Sequence, residues 1–156
     1  MINARIIHPV IIGALASAGH GSTILVADAH YAVSTTIGAN ADVVFLNLES
    51  GLPSITRVVE LISAMVAIES LSTMMNPSDD SGGIQAEIGK LLGSVPHNRI
   101  TREDFYAATR SENLALCIVT GDTRRFGNVL LTLGVTQVNA FYPEFDNLST
   151  KATSNN

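Results

Sequence analysis

The sequence predicts a single α/β domain, because strand-like and helix-like segments alternate along most of its 156 residues. Residues 114–120 form the clearest strand, an apolar run that suits the centre of a sheet covered on both faces. Residues 54–63 carry apolar side chains at helical spacing, which predicts a helix with one buried face. The length suits one hydrophobic core, and no internal repeat divides it.

The first part of the chain reads as a helix, a strand, a connection and a second strand. Residues 9–18 predict a short helix with Pro9 in its first turn, where the missing N–H costs nothing. An apolar run predicts a strand over residues 23–27. Residues 31–41, rich in small and polar residues, predict a loop over a site, and β-branched residues predict a strand over 42–47.

The middle of the chain predicts a third strand over residues 65–71 and a helix over 84–92. Between them, residues 72–83 contain Asn-Pro, Ser-Asp-Asp and Gly-Gly, which predict an exposed excursion. Residues 95–98 predict another break, after which Ile100 belongs to a short strand.

The last third predicts a helix over residues 102–110, with Thr101 as its N-cap. The central strand follows, and residues 129–133 read as a short helix closed by a glycine. The domain is expected to extend over residues 1–146. Residues 147–156 are polar and predict a disordered tail.

Composition excludes several classes of function. A formal net charge of -5 argues against a nucleic-acid partner, which requires a basic face. No apolar run reaches the roughly 18 residues that cross a bilayer, so we expect no membrane association. The single cysteine, Cys117, lies in an apolar run and predicts a buried packing residue in a protein of the reducing cytoplasm. No histidine pair has a metal-ligand spacing such as H-x-x-x-H, so no metal site is expected.

Residues 19–30 carry the strongest chemical pattern of the sequence. His20 lies between two glycines before the first strand, and Asp28 and His30 follow that strand. Because glycine reaches backbone angles closed to other residues, the chain before the strand can curl back. The first chemical hypothesis is therefore a His20–Asp28 pair above one strand, with a surface or capping histidine as the alternative.

A second loop, residues 121–128, follows the central strand. Ligands of open α/β sheets bind where strands end and helices begin, so this loop is a candidate wall of the same site. It could also serve as the phosphate loop of a nucleotide-binding domain. However, the sequence contains neither G-x-G-x-x-G nor GK[ST], and this loop holds only two glycines.

Three stretches together resemble the signature blocks of the ribose pyranase and fucose mutarotase family of sugar-anomer isomerases. They are GHGSTILVADAHY, TREDFYAATRS and VTGDTRRFGNVLLTLGVT, in the family's order. The DAHY and FGN stretches resemble the fucose mutarotase branch more than the ribose pyranase branch. The resemblance implies a three-layer α/β/α fold with a largely parallel central sheet. It also implies a cofactor-free enzyme acting on a free monosaccharide, and a ring-shaped homo-oligomer, commonly a decamer, with sites near subunit contacts.

The resemblance also implies roles for particular residues. The family's catalytic histidine corresponds to His20, and its sugar-binding residues correspond to Asp28, Arg102, Phe126, Gly127 and Asn128. His30 is a further candidate for the pocket. His8 and His97 are expected on the surface or in loops, and His97 is a minor candidate for a neighbouring subunit's site. Two residues depart from the family pattern: Ser22 replaces an acidic residue, and Phe126 replaces a tyrosine.

The residue types suit ring opening of a sugar. Mutarotation removes a proton from the anomeric hydroxyl and delivers one to the ring oxygen, and an imidazole with a pKa of about 6.5 can do both. Carboxylate, guanidinium and amide groups can hold sugar hydroxyls. Each site residue also has a structural alternative: Asp28 as a turn cap, Arg102 in solvent, Phe126 in the core. L-Fucose is the expected sugar. The alternative functions are a D-ribose pyranase and a sugar-binding or regulatory module without catalysis.

Overall fold

Helices and strands alternate through most of the computed structural model, which describes residues 2–77 and 83–136. The helices α1 to α5 span Pro9–Ser17, Val33–Thr36, Ile55–Ser63, Ile84–Leu92 and Arg102–Thr109. The strands β1 to β6 span Thr23–Ala27, Asp42–Phe45, Ile68–Met74, His97–Ile100, Leu114–Val119 and Val129–Leu133.

Within the described residues, six strands form one sheet in the order β2-β5-β1-β6-β3-β4. The pairs β2–β5, β5–β1 and β3–β4 are parallel, whereas β6 runs antiparallel to both of its neighbours. Leu25 of β1, for example, pairs with Cys117 of β5 on one side and with Leu130 of β6 on the other. The sheet is therefore largely parallel, with one reversed strand near its middle.

Both faces of the sheet are covered. On β1, Ile24 and Val26 pack with α1, α3 and α4, whereas Leu25 and Ala27 pack with Phe105 of α5 and with residues around α2. Successive side chains of a strand point to opposite faces, so one strand supplies both cores. This arrangement confirms the predicted three-layer α/β/α fold of a single domain.

The clearest error of the sequence prediction concerns residues 129–133, which form strand β6 and not a helix. The strand lies between β1 and β3, and four of its five residues are buried. A short run that is apolar on both sides has no period that distinguishes a buried strand from a buried helix. The strands that pair with it, β1 and β3, are far away in sequence, so only tertiary pairing determines that this segment is a strand.

Smaller differences concern boundaries. The third strand is Ile68–Met74, three residues later than predicted, and so its last residues lie inside the predicted excursion. His97 begins strand β4 where a break was expected, and the 31–41 connection contains the short helix α2. Residues 78–82 of the excursion, the end of the predicted domain and the predicted tail lie outside the described residues.

Two predictions about composition can be compared with the structure. Cys117 is a buried free thiol, and burial raises its pKa to about 12, which confirms a packing role. In residues 2–77 and 83–136, no helix combines the length and the apolar character needed to cross a membrane.

Candidate functional site

A cavity of about 310 Å³ opens at the edge of the sheet where the parallel strands end. Asp28 follows β1, Met74 ends β3, and residues 125–128 precede β6, whose reversed direction puts its start at this edge. Arg102 begins α5, directly after β4. The residues that line the cavity are Asp28, His30, Tyr31, Met74, Arg102, Tyr106, Arg125, Phe126 and Asn128.

Asp28 and Asn128 form a reciprocal pair at the base of the cavity. The Asp28 amide donates to Asn128 Oδ1, and Asn128 Nδ2 donates to Asp28 Oδ2, both at 2.8 Å. The other carboxylate oxygen, Oδ1, accepts from the His30 amide at 2.9 Å. Burial of the Asp28 carboxyl raises its pKa, although these hydrogen bonds act in the opposite direction. The pair therefore presents an oriented, largely desolvated carboxylate beside an amide.

Arg102 and Tyr106 lie one turn apart on α5 and face the same cavity. The helix begins at Arg102 because Thr101 caps it, with Thr101 Oγ1 accepting from the Asp104 amide at 3.1 Å. Arg102 Nη2 donates to the Tyr106 hydroxyl at 3.2 Å, and its guanidinium carbon lies 5.3 Å from the centre of the ring. The start of α5 thus supplies a cationic donor and a phenol to one wall.

Phe126 forms a further part of the cavity wall and has an unusual backbone conformation, φ 59°. Its carbonyl accepts from Gln85 Nε2 at 3.0 Å, and the same amide nitrogen donates to the Met74 carbonyl at 2.8 Å. Gln85 is buried and belongs to α4, so it ties this wall to the end of β3. The left-handed conformation is unfavourable for a bulky residue and depends on such support.

Asp122 fixes the base of the same loop. Its carboxylate accepts from Arg124 Nη2 at 2.7 Å, Arg124 Nε at 3.0 Å, and the amides of Arg124 and Ile55 at 3.1 Å each. Burial raises the pKa of Asp122, but the hydrogen bonds from Arg124 and Ile55 outweigh it and hold the pKa below its ordinary value. The Asp122 carbonyl also accepts from the Ala29 amide at 2.9 Å, which links this loop to the one behind Asp28.

The site residues predicted from sequence fall into two groups. Asp28, His30, Arg102, Phe126 and Asn128 line the cavity. Gly127 lies between two lining residues but does not face the cavity. A Cβ at Gly127 would come within 2.9 Å of side-chain carbons of α3 and α4, so a larger residue there would press on both helices.

His20 lies at the opposite end of β1 from this cavity. Its Nε2 is 2.8 Å from Glu69 Oε2, and both side chains are more than half exposed, at 60% and 55%. It lines a separate cavity of about 320 Å³ with residues of α1 and the end of β6. A five-residue strand is about 16 Å long, so the hypothesis that His20 meets Asp28 above one strand is wrong within a single chain.

The remaining histidines have structural partners. His8 Nδ1 accepts from the Ile11 amide at 3.5 Å and caps α1. His97 Nε2 lies 2.8 Å from Thr73 Oγ1 of the adjacent strand, and burial lowers its pKa. Across the described residues, no three side chains of His, Cys, Asp or Glu form a group that could hold a metal ion.

Sequence reasoning missed several residues of the site. Tyr106 could have been found, since it lies four residues after Arg102 in a predicted helix. Arg125 adjoins the predicted Phe126. Met74 belongs to the segment that the sequence predicts as an exposed excursion. The supporting roles of Gln85 and Asp122 depend on contacts with Phe126 and Ile55, which lie 41 and 67 residues away.

Comparison with known proteins finds a matching family and relatives over most of the chain. The family described as RbsD / FucU transport protein family matches residues 1–136. A D-ribose pyranase of Streptomyces coelicolor is 32% identical over 138 residues, which cover 86% of this chain and 98% of the relative. An L-fucose mutarotase of Actinobacillus pleuropneumoniae is 32% identical over 139 residues, which cover 85% and 94%.

Solved structures share the fold. Bacillus subtilis RbsD, complexed with D-ribose, superposes with a TM-score of 0.77 at 20% identity, over 88% of this chain and 100% of that one. The fucose mutarotase of Streptococcus pneumoniae, in complex with L-fucose, superposes with a TM-score of 0.73 at 21% identity, again over 88% and 100%.

Proposed function

Because the chain belongs to the RbsD/FucU family, we propose that it is a sugar isomerase that interconverts the anomers of a free monosaccharide. The observation that supports this most directly is the cavity itself. A buried carboxylate, a guanidinium, a phenol and a primary amide converge on about 310 Å³, beside the apolar side chains of Phe126 and Met74. Sugars present hydroxyls at their edges and C–H groups on their faces, and such a mixed lining suits both.

The polar groups of the cavity have capacity left for a sugar. Each carboxylate oxygen of Asp28 accepts one hydrogen bond within the protein and can accept another. Asn128 Nδ2 carries two protons, of which one is used on Asp28. Arg102 is exposed and uses one of its five N–H groups on Tyr106. These groups would hold the ring hydroxyls in fixed directions.

The reaction transfers protons without changing oxidation state. A base removes the proton of the anomeric hydroxyl while an acid protonates the ring oxygen, the ring opens to the aldehyde, C1 rotates, and the steps reverse. His20 is proposed as the proton-transferring residue, because imidazole can act as acid and base near neutrality. The Glu69 carboxylate, 2.8 Å from Nε2, would orient its ring.

His20 can act at this cavity only if another copy of the chain brings it there, because its own chain places it beyond the far end of β1. We therefore propose a homo-oligomer in which neighbouring subunits complete each other's sites, and the family resemblance implies that it is a ring-shaped decamer. Large exposed apolar side chains support association. On and after the edge strand β2, Phe45 is 63% exposed and Leu48 is 87% exposed.

The single buried thiol suits a reducing compartment, which supports a cytoplasmic location.

L-Fucose is the proposed substrate, with D-ribose as the alternative. L-Fucose carries a methyl group on its pyranose ring, which D-ribose lacks. Phe126, where the family pattern has a tyrosine, offers only carbon atoms to the ligand, and Met74 adds further apolar surface nearby. Contact with an apolar wall removes the methyl group from water, which favours binding.

Exchange between α and β anomers, measured by NMR on L-fucose and D-ribose, tests this function. The protein should accelerate exchange of L-fucose by more than that of D-ribose, and His20→Ala should abolish the acceleration. His8→Asn is the matched histidine control: it removes an imidazole that does not line the cavity while asparagine still caps α1, so exchange should continue. No acceleration of any monosaccharide would contradict the proposal.

A sugar-binding module without catalysis is the second candidate, and the exposed position of His20, remote from the cavity, favours it. In that case the sugar would bind, as detected by calorimetry, while its anomeric exchange proceeded at the uncatalysed rate. Phe126→Tyr then shows whether the missing hydroxyl limits exchange.

A further inference from the structure

We propose that the hydroxyl of Tyr106 is a further sugar-binding group of this cavity, which supplies the phenolic hydrogen bond that Phe126 cannot make. The inference rests on the proposed function and goes beyond it by assigning a specificity-determining contact to α5. Two tyrosines line the cavity, Tyr31 and Tyr106, and the internal hydrogen bonds of their hydroxyl groups differ.

The hydroxyl of Tyr31 donates its proton in a hydrogen bond within the protein. Tyr31 Oη lies 2.7 Å from Thr109 Oγ1, and Thr109 Oγ1 donates its own proton to the Tyr106 carbonyl at 3.2 Å. A hydroxyl has one proton to donate, so Tyr31 must be the donor to Thr109. Tyr31 is 9% exposed, and burial raises the pKa of its phenol. This side chain therefore supports the wall and has no proton left for a ligand.

The hydroxyl of Tyr106 is used differently. It accepts one hydrogen bond, from Arg102 Nη2 at 3.2 Å, and among the residues that the structure describes it makes no other. An acceptor keeps its own proton, so this hydroxyl can donate to a ligand. Tyr106 is only half-buried, and its ring lines the cavity beside Arg102. Arg102 and Tyr106 thus offer adjacent donors, which suit neighbouring oxygens of a sugar.

The Tyr106 ring contacts three side chains before any ligand arrives. The guanidinium carbons of Arg102 and Arg110 lie 5.3 Å and 5.9 Å from its centre, and the Tyr31 ring lies 5.7 Å away. Contacts of this kind restrict the side chain, so binding a sugar costs less conformational entropy. The position of the hydroxyl is therefore largely preorganised.

The test compares Tyr106→Phe with wild type in the anomer-exchange assay. Loss of one hydrogen bond to the sugar should raise KM about tenfold and leave the melting temperature within a degree or so, because the hydroxyl makes one exposed internal bond. Tyr31→Phe shows what a structural hydroxyl does: it should lower the melting temperature, since it removes the buried bond to Thr109. A Tyr106→Phe variant with unchanged KM would overturn the inference.

Two further measurements assign the bond. In the Tyr106→Phe background, Phe126→Tyr should recover much of the lost affinity, because it returns a phenol to the lining of the same cavity. Deoxy analogues of L-fucose, each without one hydroxyl, identify the group that Tyr106 binds. The analogue without that group should bind wild type and Tyr106→Phe equally, because neither complex can form the bond. Equal losses for every analogue would also overturn the inference. If wild type accelerates no sugar, the proposed function itself has failed.

Discussion

Asp28 and Asp122 are equally buried, at 3% exposure, yet the pKa of Asp28 lies above its ordinary value and the pKa of Asp122 lies below it. Burial raises the pKa of both. Asp28 receives hydrogen bonds only from uncharged donors, so its pKa stays above the ordinary value. Asp122 faces the Arg124 guanidinium, whose hydrogen bonds reverse the direction. The negative charge of Asp122 is balanced by the Arg124 guanidinium, whereas the carboxylate of Asp28 has no such partner among the described residues and remains available to a ligand.

Asp122→Asn should lower the free energy of unfolding by about 1.5–3 kcal/mol at neutral pH, since it removes charged hydrogen bonds from a buried loop. The folded-state pKa of Asp122 lies below its value of 3.8 in the unfolded chain. The stability that the ionised Asp122 carboxylate contributes is therefore fully present above about pH 4, and it is lost as the pH falls through the folded-state pKa. Urea denaturation of both proteins from pH 7 to pH 3 measures whether their difference shrinks on acidification.

Glu60→Gln is the control for that measurement. Glu60 also binds two arginines, Arg5 at 2.7 Å and Arg57 at 2.8 Å, but all three side chains are substantially exposed. Exposed ion pairs contribute little to stability, so this variant should unfold like wild type. Equal effects of the two substitutions would show that burial does not decide the contribution of Asp122.

At the scale of elements, the loop between β5 and β6 depends on a close backbone crossing. The Gly121 amide donates to the Pro53 carbonyl at 3.2 Å, and the Gly121 carbonyl accepts from the Gly51 amide at 2.6 Å. A Cβ at Gly121 would overlap the carbonyl oxygens of Glu49 and Leu52. The crossing brings the turn before α3 against the loop that carries Phe126, so packing at Gly121 supports the cavity wall.

Gly121→Ala should therefore lower the free energy of unfolding by about 2–3 kcal/mol, because backbone atoms cannot move aside as a side chain can. Gly89→Ala in α4 is the matched control. Its Cβ would meet His97 Nδ1 at 3.7 Å, an ordinary contact, and alanine favours helix over glycine by up to about 1 kcal/mol. Denaturant titration should move the two variants in opposite directions, and a stable Gly121→Ala would contradict the proposed crossing.

At the scale of the whole molecule, the two halves of the proposed chemistry lie at opposite ends of the sheet. His20 and Glu69 lie where β1 begins, and Asp28 and Asn128 lie where it ends. One chain cannot bring them together, since β1 itself separates them. An assembly of copies can, and this is why the proposed activity and the proposed oligomer depend on each other.

Mixing two inactive variants tests that dependence. His20→Ala and Asp28→Asn should each abolish anomer exchange, but after joint refolding about a quarter of the subunit contacts would combine an intact His20 with an intact Asp28. Exchange should then return to a corresponding fraction of the wild-type rate. The separately refolded variants are the control. Persistent inactivity of an assembled mixture would exclude a site shared between neighbouring subunits.

Much of the fold and part of the site followed from sequence alone. Local periodicity and capping residues predicted most helices and strands, because those signals depend on residues a few positions apart. Asp28 and Asn128 belong to the loops that the sequence places where strands end and helices begin, whereas Arg102 was expected only from the family resemblance; all three line the cavity.

Tertiary structure alone decided three further features. Residues 129–133 became a reversed strand, because pairing with β1 and β3 outweighs an ambiguous local pattern. Met74 became a lining residue because strand β3 extends to it, and His20 was separated from Asp28 by the length of β1. Sequence spacing determines what neighbouring residues do locally. The direction and register of distant segments depend on burial and hydrogen bonding that exist only once those segments meet.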